Sequence, residues 1–218
     1  MKLLAVAMLV FAVQAAVGQE GQPLANTGIV QCESAAKSGG VGQWVQSQAG
    51  FAAALELAAV VTRTESGNER RCVTSWKLHV KGKDGKEEVF TVAHREDISD
   101  EGNWGQKNSF EIEGWSGDGS LLLAAQIEAP DPDWDETTPI VFDFHTNTYR
   151  RVELYPLFKR VIPDSCNVVY RPLGFTDDGR VVIKAMSRDD DRSPGTKPCF
   201  PEGRWNLDFR RKMITPVK

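Results

Sequence analysis

The sequence predicts an all-β protein of three tandem, four-stranded antiparallel units, built as propeller blades are. Three observations carry that prediction. A glycine–aromatic pair opens a strand-like segment at Gly50-Phe51, Gly114-Trp115 and Gly174-Phe175, in nearly equal steps along the chain. Self-similarity at such a period marks a repeat architecture. The step from Gly50 to Leu78 also equals the step from Gly114 to Phe142. Finally, apolar and polar residues alternate with the period of two that a half-buried strand requires. Trp76, Leu78 and Val80 alternate with Lys77 and His79, Phe110 and Ile112 with Glu111 and Glu113, and Trp205, Leu207 and Phe209 with Asn206 and Asp208.

Residues 1–18, MKLLAVAMLVFAVQAAVG, carry one basic residue, Lys2, an apolar run from Leu3 to Val13, and a small-x-small step at Ala16-Val17-Gly18. This is the form of a secretory signal peptide cleaved near Gly18, and it predicts a secreted or periplasmic protein. The run is short for a bilayer crossing, and polar QEGQP follows at once. Cleavage leaves residues 19–218 and removes one lysine, so the formal charge moves from −4 to −5. That length supports one domain with a sizeable core. An acidic chain without a basic run lacks the electrostatic footprint for nucleic acid. It also lacks a polybasic patch for anionic lipid, and no later apolar stretch is long enough to span a membrane.

Residues 19–40 read as a polar N-terminal arm, and residues 41–218 as one β-rich domain. The first unit occupies about 41–95. Its strands are expected at Leu57–Val61, Trp76–Val80 and Glu88–Val92, with a hairpin turn at Lys83-Asp84-Gly85. Taken alone, AAALELAAVV is an amphipathic helix of strong helix formers, which gives the alternative of a β-sandwich with one N-terminal helix. The repeat assigns its second half to a strand, because tertiary context overrides propensity. The second unit occupies about 107–155, with a turn at Asp118-Gly119 and strands over Leu121–Ile127, Ile140–Phe144 and Tyr149–Leu154. The third occupies about 165–217, with a turn at Asp178-Gly179 and strands over Val181–Met186, Trp205–Phe209 and Met213–Val217. Its step from Gly174 to Leu207 is longer by five than the matching steps of the other units. The loop that has grown is SRDDDRSPGTKP, residues 187–198.

The chain has four cysteines, Cys32, Cys72, Cys166 and Cys199. An even count in an exported chain favours disulfides. Four cysteines allow three pairings; the repeat favours Cys32–Cys72 and Cys166–Cys199 as equivalent staples of the first and third units. A metal site is disfavoured, since there is no C-x-x-C spacing and no histidine near a cysteine.

The stretch WSGDGSLLLAAQ…PIVFDFHTNTYRRVEL resembles the repeats of TolB-like and WD40-like β-propellers. Those have an aromatic, an acidic-glycine turn, a hydrophobic strand, then an aromatic-Asp-hydrophobic step and a turn into a last strand. FTDDGRVVIKAM…RWNLDFRRKMITPV is similar to a second copy, and GFAAALELAAVV…WKLHVKGKDGKEEVFTV matches more loosely, lacking the Asp-Gly before its strand. The resemblance covers most of the chain after the arm. It implies architecture, with binding platforms the commonest use and no particular chemistry. Closed propellers have four to eight blades, and this chain has three units. Either the arm supplies extra strands, or two chains complete a ring, or the units form an open stack or sandwich.

Several residues are candidate sites. Asp131, Asp133 and Asp135 stand at alternate positions, as oxygen ligands for calcium do, but Glu136 and Phe142 fall where such a loop needs glycine and glutamate. The plainer reading is a solvated loop, as it is for Asp189-Asp190-Asp191. Ser116 in Gly-Trp-Ser-Gly-Asp departs from the G-x-S-x-G nucleophile pattern at Asp118 and belongs to a turn, matched by Thr176. His79 is expected to point outward from its strand, His94 to lie in a linker between units, and His145 to begin a turn; none has zinc spacing. Trp76, Trp115 and Trp205 are expected in the core or on sheet faces, and Trp104 and Trp134 in loops. The binding surface expected from sequence comprises the loops 96–106, 129–138 and 187–198, with Trp104, Asp133, Trp134 and Asp135 as contact residues for a protein or glycan. With no nucleophile, metal or cofactor motif, the sequence reads as an exported, non-catalytic, propeller-like binding module. The alternatives are a secreted hydrolase using loop carboxylates and a subunit that completes a partner's ring, a homo-oligomer among the forms this would take.

Overall fold

The computed structural model describes residues 23–26, 40–63, 70–99, 107–131, 134–188 and 198–217. The described chain is all-β with one short helix. Strand β1 (Ala25–Asn26) precedes a first sheet made of β2 (Val45–Gln46), β3 (Ala52–Arg63), β4 (Arg70–Lys81) and β5 (Glu87–Ser99). The second sheet comprises β6 (Lys107–Trp115), β7 (Leu121–Asp131), β8 (Trp134–Asp143) and β9 (Thr148–Arg151), and β1 adds to the free edge of β6. Helix α1 (Tyr155–Phe158) leads to a third sheet of β10 (Val168–Phe175), β11 (Val181–Ser187), β12 (Gly203–Asp208) and β13 (Met213–Pro216). Every pairing is antiparallel between chain neighbours, except that β1 and β6, also antiparallel, are not adjacent in the chain. None of the sheets closes on itself.

The sheets stack in chain order. Ala53, Leu55, Trp76, Leu78, Val80 and Val92 of the first face Phe110, Ile112, Leu122, Ala124, Ile140 and Phe142 of the second. The opposite face of the second sheet, with Leu121, Leu123 and Val141, packs against Val181, Ile183, Trp205 and Leu207 of the third. The middle sheet is thus buried on both faces, which explains why Leu121–Gln126 is an unbroken buried run. Helix α1 fills the gap between the second and third sheets. Phe158 stacks on Tyr170 at 5.5 Å and meets Trp205 edge-on at 5.3 Å. Trp76 and Trp205 are core residues, as expected, and Trp115 packs at the border of the first core.

The segment AAALELAAVV is strand throughout. Helix propensity loses because β2 and β4 flank β3, its first alanines are buried, and Ala53 and Leu55 pack into the core between the first two sheets. The ladder of β3, β4 and β5 has strands of 12, 12 and 13 residues, longer than expected. A bulge at Trp76/Lys77 lets it continue, so His94 lies in β5 opposite Ser75 and not in a linker.

The repeat needs one correction. Gly114 and Gly174 sit at matching β-bulges, after Ile112 and Pro172. Gly50 is not their equivalent; it is a turn glycine with φ 85°, matching Gly119 (70°) and Gly179 (76°). In the turns Ser47–Phe51 and Thr176–Arg180, the first amide bonds the carbonyl four residues on, the glycine amide bonds the first carbonyl, and the hydroxyl accepts from the last amide. Ser116 closes its turn in the same way, one residue longer, onto Leu121. The structural repeat therefore steps from Gly50 to Gly119 to Gly179. The equal steps Gly50 to Leu78 and Gly114 to Phe142 do not join equivalent residues. Only a residue tolerant of positive φ fits that turn, so the glycine fixes the alignment and the aromatic does not.

Cys166 and Cys199 are bonded, with Cα atoms 6.0 Å apart, tying the entry to β10 to the segment before β12. The expected Cys32–Cys72 bond lies outside the described residues at Cys32, and only the backbone of Cys72, in β4, is described. Among the described residues, no helix is long and apolar enough to cross a membrane.

Candidate functional site

Two kinds of turn converge at one end of the second and third sheets. The first kind is the hydroxyl–glycine turn just described, entered from β6 and β10. Asp118 completes it in the second sheet, accepting from Ser116 Oγ at 2.6 Å, Ser120 N at 3.0 Å and Ser120 Oγ at 2.8 Å. These bonds, that from Ser116 foremost, hold its carboxyl down to about 2. Asp178 takes the same place in the third sheet. It is bonded by Arg180 Nε at 3.1 Å and Nη2 at 2.8 Å, and by the Thr176 hydroxyl, and Arg180 and then Thr176 lower it to about 2.

The second kind of turn joins the last two strands of each sheet. Asp143 accepts from His145 N at 2.9 Å, and Asp208 from Arg210 N at 3.1 Å and Arg211 N at 3.0 Å. Further along each turn, Asn147 and Lys212 take φ of 52° and 53°. Aspartate favours such turns because its short carboxylate reaches its own backbone two residues on. The result is to place His145 and Arg210 at the same end as Asp118 and Asp178.

A cavity of about 440 Å³ opens between the two sheets there, walled by Ser116–Asp118, Ser120, Leu121 and His145 on one side and by Asp177–Gly179 and Arg210 on the other. A second, of about 540 Å³, continues along the third sheet past Asp178, Arg180, Asn206, Asp208, Arg210 and Arg211. They share Asp178, Gly179 and Arg210 and make one polar groove. Arg210 lies over the Phe209 ring at 4.9 Å and 4.0 Å from Asp143 Oδ2, so its charge is only loosely matched. Asn206 Oδ1 is buried and has no donor. The groove therefore presents a cation and has an unpaired acceptor buried in its wall, while the two acidic turns have spent their carboxylates on internal bonds. Chemically this suits hydrogen bonding to a polar ligand. Ser116 Oγ donates to Asp118 and accepts from the Leu121 amide, which makes it a turn residue, as the sequence suggested.

The sequence-predicted contact residues lie elsewhere. Trp104 and Asp133 fall outside the described residues. Of Trp134 and Asp135 only the backbone is described, and it is strand: β7 and β8 extend so far that Asp131 pairs with Trp134. The expected loop 129–138 is therefore mostly hairpin, because the ladder continues past a register shift after Glu128. Residues 96–99 likewise belong to β5. These segments, and the end of β11 at Ser187, lie at the opposite end of the sheets from the groove, since β5, β7 and β11 all run away from the turns. Most of 187–198 is outside the described residues.

His79 departs from its expected surface position. It is 6% exposed on the outer face of the first sheet. Its Nε2 lies 2.6 Å from Glu56 and its Nδ1 2.9 Å from Glu87, and the Trp44 ring meets it edge-on at 6.4 Å. Lys77 joins Glu56 at 3.0 Å, and the bonds from Lys77 and then His79 lower the Glu56 carboxyl. Among the described residues no set of histidine, cysteine, aspartate and glutamate is arranged to hold a metal. His145 is an exposed turn residue, as expected. Sequence reasoning missed Asn206 and Arg210. The signal that would have found them is the Asp-Phe turn repeated at Asp143 and Asp208, which aligns with the hydroxyl–glycine turn of the same unit.

No protein-family model and no curated protein matches this sequence.

Proposed function

We propose that the chain is an exported, non-catalytic binding module of propeller-like build that takes a polar segment of a protein or glycan into the groove at its turn end. One observation carries this reading: a loosely matched cation, Arg210, lines both the cavity between the second and third sheets and the adjoining cavity along the third sheet, where a buried acceptor without a donor, Asn206 Oδ1, stands in the wall. A bound chain that donates to Asn206 and accepts from Arg210 relieves an unsatisfied buried oxygen, and such relief favours binding by about 1–3 kcal/mol. The bonded pair Cys166–Cys199 supports an oxidising compartment. Export itself rests on residues 1–18 and is tested by N-terminal sequencing of protein recovered from the culture medium or periplasm, expected to begin at Gln19.

The binding reading is tested by presenting residues 19–218 to glycan and peptide arrays and titrating the strongest ligand against Arg210→Ala and Asn206→Ala. The expected result is at least a tenfold loss of affinity in each. Ligands held equally well by both variants, or turnover of an arrayed substrate, would overturn it.

A further inference from the structure

The strands β6 and β10 are equivalent by the repeat and run against each other at the joint between the second and third sheets. Both bulge just before a glycine, and the bulge leaves Glu113 in one and Leu173 in the other without a cross-strand partner. A carboxyl thus stands where the third unit has a leucine. Two residues earlier, Glu111 stands where the third unit has Arg171. The exchange is not neutral, because these groups meet. Arg171 Nη2 lies 3.0 Å from Glu111 Oε2, and its Nε 3.9 Å from Glu113 Oε1. The Glu113 side chain is 5% exposed, and its Oε1 has no hydrogen-bond partner. One guanidinium, itself half exposed and bonded mainly to Glu111, serves two carboxyls.

We propose that Glu111, Glu113 and Arg171 form a proton-operated latch: with one proton shared by the two carboxyls the joint between the second and third sheets is closed, and loss of that proton leaves two carboxylates against one guanidinium and loosens it. Like charges at one buried site cannot both ionise freely. Burial is the main cause that raises the Glu113 carboxyl to about 7; Arg171 opposes the rise and Glu111 adds to it. Among the described residues the charged groups facing it are Glu111 on its own strand and Arg171 on β10, while β7 presents Ala125 opposite Glu111. The strands β6 and β10 run directly into the turns that wall the 440 Å³ cavity, so the latch also sets how the groove opens with pH. That effect on the groove rests on the binding reading above; the latch does not.

The test uses residues 19–218 without ligand. The Glu113 carboxyl carbon, assigned with Glu113→Gln, is followed by NMR from about pH 4 to pH 9, a span that brackets ordinary and raised carboxyls. Amide exchange of Phe110–Glu113 and Tyr170–Arg171, corrected for the intrinsic pH dependence, is measured alongside. The latch predicts titration near neutrality and a loss of protection in both strands above it, absent in Glu113→Gln. Glu113→Leu, which installs the residue of the third unit, is the second variant and is also expected to exchange independently of pH. Titration of the carbon in the ordinary carboxyl range, or protection that stays constant across neutrality in the unmodified chain, would overturn the latch. Binding on either side of neutrality then tests the groove effect separately, with Glu113→Gln expected to remove any difference.

Discussion

The second and third sheets share a backbone plan and differ in what they place upon it. Both have a bulge before glycine, a hydroxyl–glycine turn, an aspartate locked inside that turn, and a second turn capped by aspartate. Yet Glu113 corresponds to Leu173, Glu111 to Arg171, and Ser120 to Arg180. Main-chain bonding therefore fixes the fold of each unit, while side chains at matching positions set its electrostatics. The second sheet is also buried on both faces, whereas the third packs one face on the core and lends its turn end to the groove.

The largest expected difference between them is covalent. Among the described residues, only the third sheet carries a bonded cysteine pair, at a sequence separation of 33. Replacing both cysteines with serine should cost about 3–4 kcal/mol in urea unfolding on the chain-entropy model. A loss far below that would mean that α1 and the aromatic stack at Phe158 already order the loop.

Next comes the carboxyl that breaks the symmetry. The folded state raises Glu113 from 4.5 to about 7. A carboxyl raised in this way contributes stability that is complete below 4.5 and disappears as pH climbs through 7, since the folded form holds the proton more tightly than the unfolded one. The upper limit is about 3 kcal/mol over that window, from about 1.36 kcal/mol per pH unit. The urea midpoint of the unmodified chain should fall across the interval relative to that of Glu113→Gln. Parallel curves would remove the distinction between Glu113 and Leu173.

A third contrast sharpens the account of the turns. Alanine at Gly119 or Gly179 is strained by the positive φ, at roughly 1–2 kcal/mol each. At Gly119 the added carbon would also lie 3.0 Å from the Ala49 backbone, whereas at Gly179 the nearest atom is Leu121 Cδ1 at 3.7 Å. Gly119→Ala should therefore lower the thermal midpoint more than Gly179→Ala. Equal effects would mean that the first turn does not stack on the second.

The smallest difference extends the comparison to the first sheet. Trp205 Nε1 donates to Pro201 O at 3.0 Å, but the buried Trp76 Nε1 has no acceptor. Phenylalanine at either site leaves a similar void, and only at Trp205 does it orphan a carbonyl. Trp205→Phe should cost about 1 kcal/mol more than Trp76→Phe.

Much of this architecture was legible because strands of the outer sheets face a core on one side only, and so alternate. Trp76–Val80 and Trp205–Phe209 showed it directly. Helix-like composition misled at AAALELAAVV because propensity is local, whereas the strand is held by its ladder partners and by burial of Ala53 and Leu55 between the sheets. The repeat was found through the wrong residue: Gly-aromatic pairs are conspicuous, while the glycine that matters is set by a φ angle that letters do not display. The groove was illegible for a different reason. Asn206 looks like any outward residue on a strand until its neighbours Val182 and Thr215 and the Asp178 turn enclose it. His79 was misread for the same reason: period two put it on the outer face, and Trp44, Glu56 and Glu87, all from other strands or segments, buried it there.

The central claim is that three equivalent sheets stack in chain order with their hydroxyl–glycine turns in register. Nuclear Overhauser contacts in residues 19–218 test it most directly. The account predicts cross-peaks between the Ala49 methyl and Gly119, and between the Leu121 methyls and Gly179, together with cross-strand contacts from Leu55 to Leu78. Absence of both turn contacts, with sequential i to i+3 contacts running from Ala52 to Thr62, would contradict it.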